Sequence, residues 1–442
     1  MKVYIKTYGC QMNQRDSDAL AAQLVANGHT MVEIENDADI ILFNTCSVRD
    51  AAERKAKGKI GYMKKLKDKK PNLILGVMGC MAQRLGDELL AELPHLDFVL
   101  GTGQLHQLVD TVEKITKERC RLTRVEESAD VLTNLDGHYN TDCCAEIAIT
   151  RGCNRFCSYC IVPYVRGREI SREKEDIIKE AKELAAKGVK EILLLGQNVA
   201  AYGLGGDIRP PKDGYSPFAN LLEELNQIDG ILRIRFTSPY ISYFNDRLIE
   251  AIAKCSKVCN NLHLPVQSGS NTILKAMNRQ YTRESYLEKV AQLKAAIPNL
   301  TLSTDVIVGF PGETDEDFAL TRSLLNEVGF EQSYIFKYSP RPGAKSAALE
   351  DSVPEEVKEE RNQILLADLA NRVENKIANL NGQVLEVLVE GVSPRNTERW
   401  SGRTTTNYHV HFEPVPNLKV GEIRKVEITF TGSVSLIGKI VD

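Results

Sequence analysis

The sequence predicts an α/β protein built as three units in a row: an N-terminal parallel α/β sheet, a central partial barrel of six β/α repeats, and a small C-terminal β-barrel. Three observations predict it. Short β-rich runs alternate with helical patterns over most of the chain. Beyond the charged helix that ends the central unit, helical periodicity stops, and short β runs punctuated by glycine and proline replace it. Cysteine, glycine and amide residues gather just past the β runs, where α/β sheets collect ligands. The expected units are 1–137, 138–373 and 374–442.

With 442 residues the chain can hold two or three separate cores. It is 43% hydrophobic and 26% charged, the composition of a soluble globular protein, and its net charge of −4 does not by itself announce a nucleic-acid partner. No apolar run is long enough to span a bilayer, and the chain opens directly into the strand-like Lys2-Val-Tyr-Ile-Lys-Thr-Tyr8. No membrane role and a cytoplasmic location are therefore expected. Eleven cysteines in a reducing compartment point to metal or catalysis over disulfides. The sequence has no Walker loop, nucleophile elbow, H-E-x-x-H motif or hydrolase-like carboxylate pair.

In the first unit, three β-rich runs each end in a cysteine: Val3 to Cys10, Ile40 to Cys46 and Leu73 to Cys80. Helical patterns such as Ser17 to Val25 fill the near-equal intervals, so the repeated unit is strand, cysteine, helix. Parallel strands place all three thiols at the carboxyl edge of one sheet, where they either meet as ligands or simply pack as small side chains. Asp97 to Gly103 supplies a fourth strand. Glu53 to Lys70 holds nine Lys or Arg against two acids, either a stripe for a phosphate backbone or a solvated helix face. Residues 116–144 read as a polar linker carrying the incidental Cys120, Cys143 and Cys144.

The central unit opens with Glu146-Ile-Ala-Ile-Thr150 and the loop Arg151-Gly-Cys-Asn-Arg-Phe-Cys-Ser-Tyr-Cys160. Cys153, Cys157 and Cys160 form a C-x3-C-x2-C run short enough to wrap one small inorganic cluster, and three thiolates on a four-iron cluster leave one iron open to a ligand. A disulfide with a spare thiol, or zinc with a distant fourth ligand, fits the same spacing. Five more strands follow: Glu191–Leu195, Leu232–Thr237, Asn261–Val266, Thr301–Val308 and Ser333–Tyr338. Six strands make an open barrel whose side can admit a large substrate. Beyond the strand ends lie Gly196-Gln-Asn198, Thr237-Ser-Pro239, Gln267-Ser-Gly-Ser270 and Gly309-Phe-Pro-Gly-Glu313. Taken singly these are turns; together, glycines allow close backbone approach and amides can read an adenine edge or a ribose hydroxyl. His263 reads as a satisfied core histidine, and Cys255 and Cys259 fall on one predicted helix face without a third ligand.

In the last unit, β runs cover Val384–Val389, Asn407–Phe412, Ile423–Phe430 and Ser435–Val441. Between the first two lies Ser393-Pro-Arg-Asn-Thr-Glu-Arg-Trp-Ser-Gly-Arg-Thr404, where Arg395, Arg399 and Arg403 flank the only tryptophan, Trp400. Arginines beside an aromatic suit RNA, clamping phosphate and stacking on a base, although a structural β cap has a similar charge balance.

The cysteine loop, with Tyr159 just before its last cysteine, resembles the signature of radical S-adenosylmethionine (SAM) enzymes. Its continuation Cys160-Ile-Val-Pro-Tyr-Val-Arg-Gly-Arg-Glu-Ile-Ser-Arg172 resembles the methylthiotransferase branch. Thr7-Tyr-Gly-Cys-Gln-Met-Asn13, Asn44-Thr-Cys-Ser-Val-Arg49 and Gly79-Cys-Met-Ala-Gln-Arg84 resemble that branch's N-terminal domain, and the C-terminal unit resembles a TRAM domain, an OB-like RNA-binding module. Thr7 to Asn13 together with the Cys153 loop points to the tRNA-2-methylthio-N6-dimethylallyladenosine synthase family. Two departures from the family pattern are Ala344 after Arg341-Pro-Gly343 and Tyr240 after Ser238-Pro239.

The resemblance implies two [4Fe-4S] clusters, one on Cys153, Cys157 and Cys160 and an auxiliary one on Cys10, Cys46 and Cys80 that carries the sulfur to be transferred. It implies two SAM per turnover, one to methylate that sulfur and one to yield the 5′-deoxyadenosyl radical. The SAM pocket is expected at Tyr159, Gln197, Asn198, Ser238, Gln267, Ser268, Asp305, Val308, Gly309 and Glu313. Arg395, Arg399, Trp400 and Arg403 are expected to touch RNA. The implied substrate is isopentenyladenosine at position 37 in a tRNA anticodon stem-loop. Flavodoxin or ferredoxin is the expected electron donor, with a sulfur donor or iron–sulfur carrier as a further partner. Rival readings are a methylthiotransferase acting on threonylcarbamoyladenosine or on a ribosomal protein, and a non-enzymatic iron–sulfur carrier that binds RNA.

Overall fold

The computed structural model describes residues 1–47, 50–128, 135–140, 142–209, 211–212, 214–394, 396–432 and 435–442. The N-terminal strands β1 (Lys2–Thr7), β2 (Thr30–Met31), β3 (Ile40–Thr45), β4 (Ile74–Gly79), β5 (Phe98–Leu100) and β6 (Leu122–Arg124) form one parallel sheet in the order β2-β1-β3-β4-β5-β6. Every residue of β3 and β4 is buried, because helices cover both faces. Ile40 and Leu42 face the helices Gln11–Ala26 and Leu108–Glu118, while Ile41 and Phe43 face the helices Asp50–Tyr62 and Cys80–Leu85. The expected fourth strand is β5. The region read as a linker contributes β6, whose three residues are too few for any period to show. Much of the basic run is engaged locally: Lys57 pairs with Glu92, Lys59 with Glu35 and Lys67 with Asp97, and Lys70 bonds the Asn36 carbonyl. Those four lysines serve the fold.

All six expected central strands form: β7 (Cys144–Ala148), then, beyond the short strands β8 (Thr150–Arg151) and β9 (Ile170–Ser171), β10 (Glu191–Leu195), β11 (Arg233–Phe236), β12 (Asn261–His263), β13 (Thr301–Val308) and β14 (Gln332–Lys337). They make two parallel three-stranded sheets, β11-β10-β7 and β12-β13-β14, joined where Ile234 bridges Val258. β8 and β9 pair antiparallel and close the base of the cysteine loop. Among the described residues no helix is long and apolar enough to cross a membrane.

The helix Glu355–Ala378 packs along β14 and runs through the expected boundary at 373 into the last unit. There β15 (Val384–Ser393), β16 (Asn396–Arg403), β17 (His409–Phe412), β18 (Ile423–Thr431) and β19 (Leu436–Ile440) close a barrel in the order β15-β16-β17-β19-β18. The arginine-rich stretch, read as a connection, is strand β16. Its Trp400 packs against the barrel core, Arg399 is half-buried, and Arg395 lies outside the described residues. Arg403 corrects the sequence reading. It pairs with Glu191 at 2.8 Å and with Glu390, and so joins the barrel to the amino end of β10. Arg235 donates to the Thr404 carbonyl at 2.6 Å and Thr301 to that of Thr406 at 2.9 Å, which seats the barrel on the strand ends opposite the cysteine loop.

On the other side, His138 sits between Asp18 of the first unit (3.4 Å) and Glu180 of the second (2.7 Å), and Glu180 also pairs with Arg15 and Arg172. Burial opposes the imidazolium, but the bonds to Asp18 and Glu180 outweigh it and hold the His138 pKa above its ordinary 6.5. Such a group stabilises fully below the ordinary value and ceases to as pH rises through the raised one. Between about pH 6 and about pH 9 the wild type should therefore lose a few degrees of melting temperature relative to His138→Gln, measured by scanning calorimetry. Parallel curves would show that His138 does not bind the units together.

Candidate iron–sulfur and substrate site

β1, β3 and β4 are neighbours in register, Thr7 beside Asn44 and Thr45 beside Gly79, so the residues that follow them leave the sheet together. Cys10 stands at the start of the helix Gln11–Ala26, Cys46 directly after β3, and Cys80 at the start of the helix Cys80–Leu85. Gly9 has φ +120°, and a Cβ there would lie 2.5 Å from the Cys46 Cβ; Gly79 has φ +93° and is pressed on Asn44 and Thr45. Glycine before Cys10 and before Cys80 thus lets their loops close against the Cys46 strand end. Asn13 Nδ2 donates to the carbonyls of Tyr8 and Thr45, both at 2.9 Å, and Asn44 Nδ2 donates back to the Asn13 carbonyl. These amides fix Cys10 against Cys46.

The second triad is held from several sides. The Cys153 amide donates to the Gly167 carbonyl at 3.1 Å, that of Cys160 to the Cys157 carbonyl at 3.0 Å, and that of Ser158 to the Met277 carbonyl at 3.0 Å. Arg279 Nη1 lies 3.4 Å from both the Cys157 sulfur and the Tyr159 hydroxyl. Phe156 adopts φ +48°, a strained turn that spaces Cys153 from Cys157.

Cys10, Gln11 and Met12 from the first unit and Cys153, Cys157 and Cys160 from the second line one cavity of about 300 Å³. Tyr159, Gln197, Asn198, Ser238, Gln267 and Asp305 line it too, bringing together six of the ten residues expected at the pocket. Ser238 and Gln267 have φ +57° and +69°, so backbone strain gathers around this space. Asn198 Oδ1 accepts from the Tyr240 amide at 3.0 Å, whereas its buried Nδ2 has no partner. Asp305 Oδ2 lies 3.3 Å from His263 Nε2, while Ser303 holds the other ring nitrogen at 2.9 Å. His263 is the satisfied histidine expected.

Four pocket residues fall elsewhere and correct the sequence reading. Ser268 is fully buried against Thr321, and Val308 is fully buried in the barrel core. The Gly309 amide donates to Glu313 at 2.6 Å, and Glu313 also holds Arg361 at 2.7 Å. The Gly309 amide and Glu313 Oε2 are thus engaged within the turn after β13 and with Arg361, and Ser268 with Thr321, so these residues support the pocket from behind. Cys255 and Cys259 share no helix face: one ends the helix Asp246–Lys254 and the other lies on the bridge between the half-sheets. Val48 and Arg49 of the second motif lie outside the described residues.

The sequence reading missed the charged groups between the triads. Asp16 is 1% exposed; one of its oxygens accepts from Arg151 and the other from Arg166 at 3.1 Å. Arg166 also donates to Asn13 Oδ1 at 2.6 Å and lies against the Cys80 thiol, which itself packs on Ile161 and Val165. Burial works against the charge on Asp16, but the two guanidiniums outweigh it and keep the carboxyl below the usual range. The available signal was Asn13, Asp16 and Ser17 at i, i+3 and i+4, a polar stripe on a helix face otherwise built to be buried. Arg155 was missed as well; it stacks on Tyr240 at 3.9 Å and on Tyr243 at 4.5 Å.

The donor sets fit iron–sulfur clusters. Soft thiolates are their usual ligands, and Arg166 Nη1 is a buried donor without a hydrogen-bond partner beside the first triad. Among the described residues, the one trio of possible ligand atoms within single-ion spacing, 4.8 Å, is Cys144, Glu191 and Glu390, and there Arg403 already supplies the positive charge. Burial pushes the Cys80 thiol up to about 11 and that of Cys153 up to about 12, so without metal these two are neutral and metal uptake by them must release protons.

Three family models match the chain: the Radical SAM superfamily over residues 147–325, Uncharacterized protein family UPF0004 over 2–101, and the TRAM domain over 378–441. A relative from Opitutus terrae is 44% identical, covering 100% of this chain and 97% of its own length. One from Akkermansia muciniphila is 44% identical over 99% and 98%, and one from Geobacillus thermodenitrificans 45% over 100% and 84%. All three are named tRNA-2-methylthio-N(6)-dimethylallyladenosine synthase. Among solved structures, the radical S-adenosylmethionine methyltransferase TsrM from Kitasatospora setae is similar at a TM-score of 0.56 and 13% identity, over 76% of this chain and 72% of that one. The cobalamin-dependent S-adenosylmethionine radical enzyme OxsB gives 0.52 and 12%, over 85% and 56%. These two share the fold alone. Identity of 44–45% along the full length, with a cysteine of each triad opening on one cavity, makes the chain a member of the tRNA-2-methylthio-N(6)-dimethylallyladenosine synthase family.

Proposed function

We propose that this protein is a radical SAM methylthiotransferase that adds a methylthio group to carbon 2 of N6-dimethylallyladenosine at position 37 of tRNA, in the cytoplasm. One observation carries the proposal: Cys10 lines the same cavity as Cys153, Cys157 and Cys160, so groups held by the two triads are presented to one substrate. Two [4Fe-4S] clusters, on Cys10, Cys46 and Cys80 and on Cys153, Cys157 and Cys160, would supply with SAM the sulfur to be transferred and a radical able to take a hydrogen atom from an unactivated ring carbon. A one-electron donor such as flavodoxin or ferredoxin and a source of sulfur complete the set of partners.

The chain's own residues bind, orient and enclose. Asn198 Nδ2, Gln267 and Ser238 offer polar groups to SAM from strand ends whose backbone is already fixed, and Arg279 with Tyr159 orients the Cys157 side of the loop. Tyr240 walls the space, with the Tyr281 ring packed on it at 5.4 Å. At the outer face of the loop, Phe156 meets Tyr164 edge to face at 5.7 Å, with Arg168 4.4 Å above the Phe156 ring. Tyr164 is 43% exposed, so this rim offers an unstacked base an aromatic face and a phosphate a cation. Arg399 and Trp400 on β16 are a more distant RNA contact.

Anaerobically reconstituted protein should hold about eight irons per chain, and the triple change Cys10→Ala, Cys46→Ala, Cys80→Ala about four, with SAM cleavage retained and methylthio product lost. Nucleoside mass spectrometry should find product from isopentenylated tRNA only; product from unmodified or threonylcarbamoylated tRNA, or from a ribosomal protein, would reject the assignment. Tyr164→Ala with Arg168→Ala should weaken binding of the isopentenylated stem-loop by about fivefold or more in Kd, measured by fluorescence anisotropy, at unchanged iron content. An unaltered Kd would place the RNA elsewhere.

A further inference from the structure

Two guanidiniums, Arg151 and Arg166, share the single carboxylate of Asp16, and all three side chains are at most 7% exposed. This buried group carries one surplus positive charge, which is costly unless an anion lies beside it. Arg166 ends the short helix Val162–Val165 that packs on Cys80. Its Nη2 is fixed by Asn13 Oδ1 at 2.6 Å and Asp16 Oδ2 at 3.1 Å, which leaves the buried Nη1 as a donor without a hydrogen-bond partner. The anion that fits is a set of deprotonated cysteine sulfurs, since thiolates must form for metal to bind and they accept N–H donors. We infer that Arg166, supplied by the central unit, is the positioning residue that completes the auxiliary site of the N-terminal unit, hydrogen-bonding and neutralising the Cys80 sulfur when the Cys10, Cys46 and Cys80 triad holds iron. The auxiliary site is then built across the domain boundary. This rests on the reading that the first triad holds a cluster.

The test uses the full chain with Cys153, Cys157 and Cys160 changed to Ala, so that only the first triad can hold iron. After anaerobic reconstitution, iron loss to a chelator and the midpoint potential from an electron paramagnetic resonance (EPR) titration are compared for this parent, Arg166→Gln, Arg166→Lys and Asp16→Asn. Arg166→Gln should lose iron about tenfold faster and move the potential to more negative values, because a cation and a donor leave the sulfurs. Arg166→Lys keeps the charge and should bring the potential back toward the parent. Asp16→Asn breaks the ion pair but leaves the cation, so it should lower the melting temperature without the negative shift. If Arg166→Gln does not fold, Arg166→Lys carries the test, since one ammonium cannot reach both Asp16 and Cys80 and iron should still be lost faster than from the parent. Equal potential and equal iron loss in the Arg166 variants overturn the inference. A parent that binds no iron overturns the two-cluster reading instead.

Discussion

The buried contact of Asp16 with Arg151 and Arg166 is the constraint on which the rest of this molecule depends. Asp16 lies on the helix that Cys10 begins, Arg151 stands just before Cys153, and Arg166 shortly after Cys160. Each charge is thus tethered by a few residues to a cysteine. Bringing the charges together brings the two sulfur sets together. Removing one partner of such a pair typically costs about 3–5 kcal/mol, because the other charge is left buried and unpaired. The interface therefore has few alternative settings, and the Arg15, His138 and Glu180 contacts at its edge extend the same lock.

What the lock holds in place is costly to build. Phe156, Ser238 and Gln267 all carry positive φ, although none is glycine, and all three belong to the cysteine loop or to a strand end on the cavity. Strain of this kind persists only where the surroundings over-determine it. Here they do: the loop is tied to Gly167, Met277 and Gln197, and the β8–β9 pair closes its base. Behind the cavity wall, the Glu313–Arg361 pair and the buried Ser268 and Thr321 hydroxyls brace the turns that carry Gln267 and Gly309. Rigidity of the cysteine loop and of the strand ends on the cavity follows from these particular bonds.

Much of this was legible in the chain. Repeated strand, cysteine, helix units foretold neighbouring parallel strands, and neighbouring parallel strands leave Cys10, Cys46 and Cys80 at one edge. The six central strands were readable for the same reason. What could not be read were pairings between residues far apart in sequence. Nothing local to Arg403 announces Glu191, and nothing local to Asp16 announces Arg151 and Arg166. Two strands also escaped: β6 because it has only three residues, and β16 because its arginine-rich run has no apolar alternation. Gly309 and Glu313 look like ligand residues in sequence because a turn that braces a pocket and a turn that lines it draw on the same residue types.

The placement of the last unit follows from the same logic of charge. Arg233, Arg235 and Arg403 bind it to the amino ends of the central strands, so the cysteine edge is left to the N-terminal unit and to the exposed rim around Tyr164 and Arg168. The central claim, that both sulfur sets serve one cavity, is tested most directly by pulsed EPR on the reduced holoprotein. Two centres on a shared cavity should show magnetic coupling that is missing from either single-triad variant. A holoprotein spectrum equal to the simple sum of the two variants would mean that the centres are far apart, and would contradict the account.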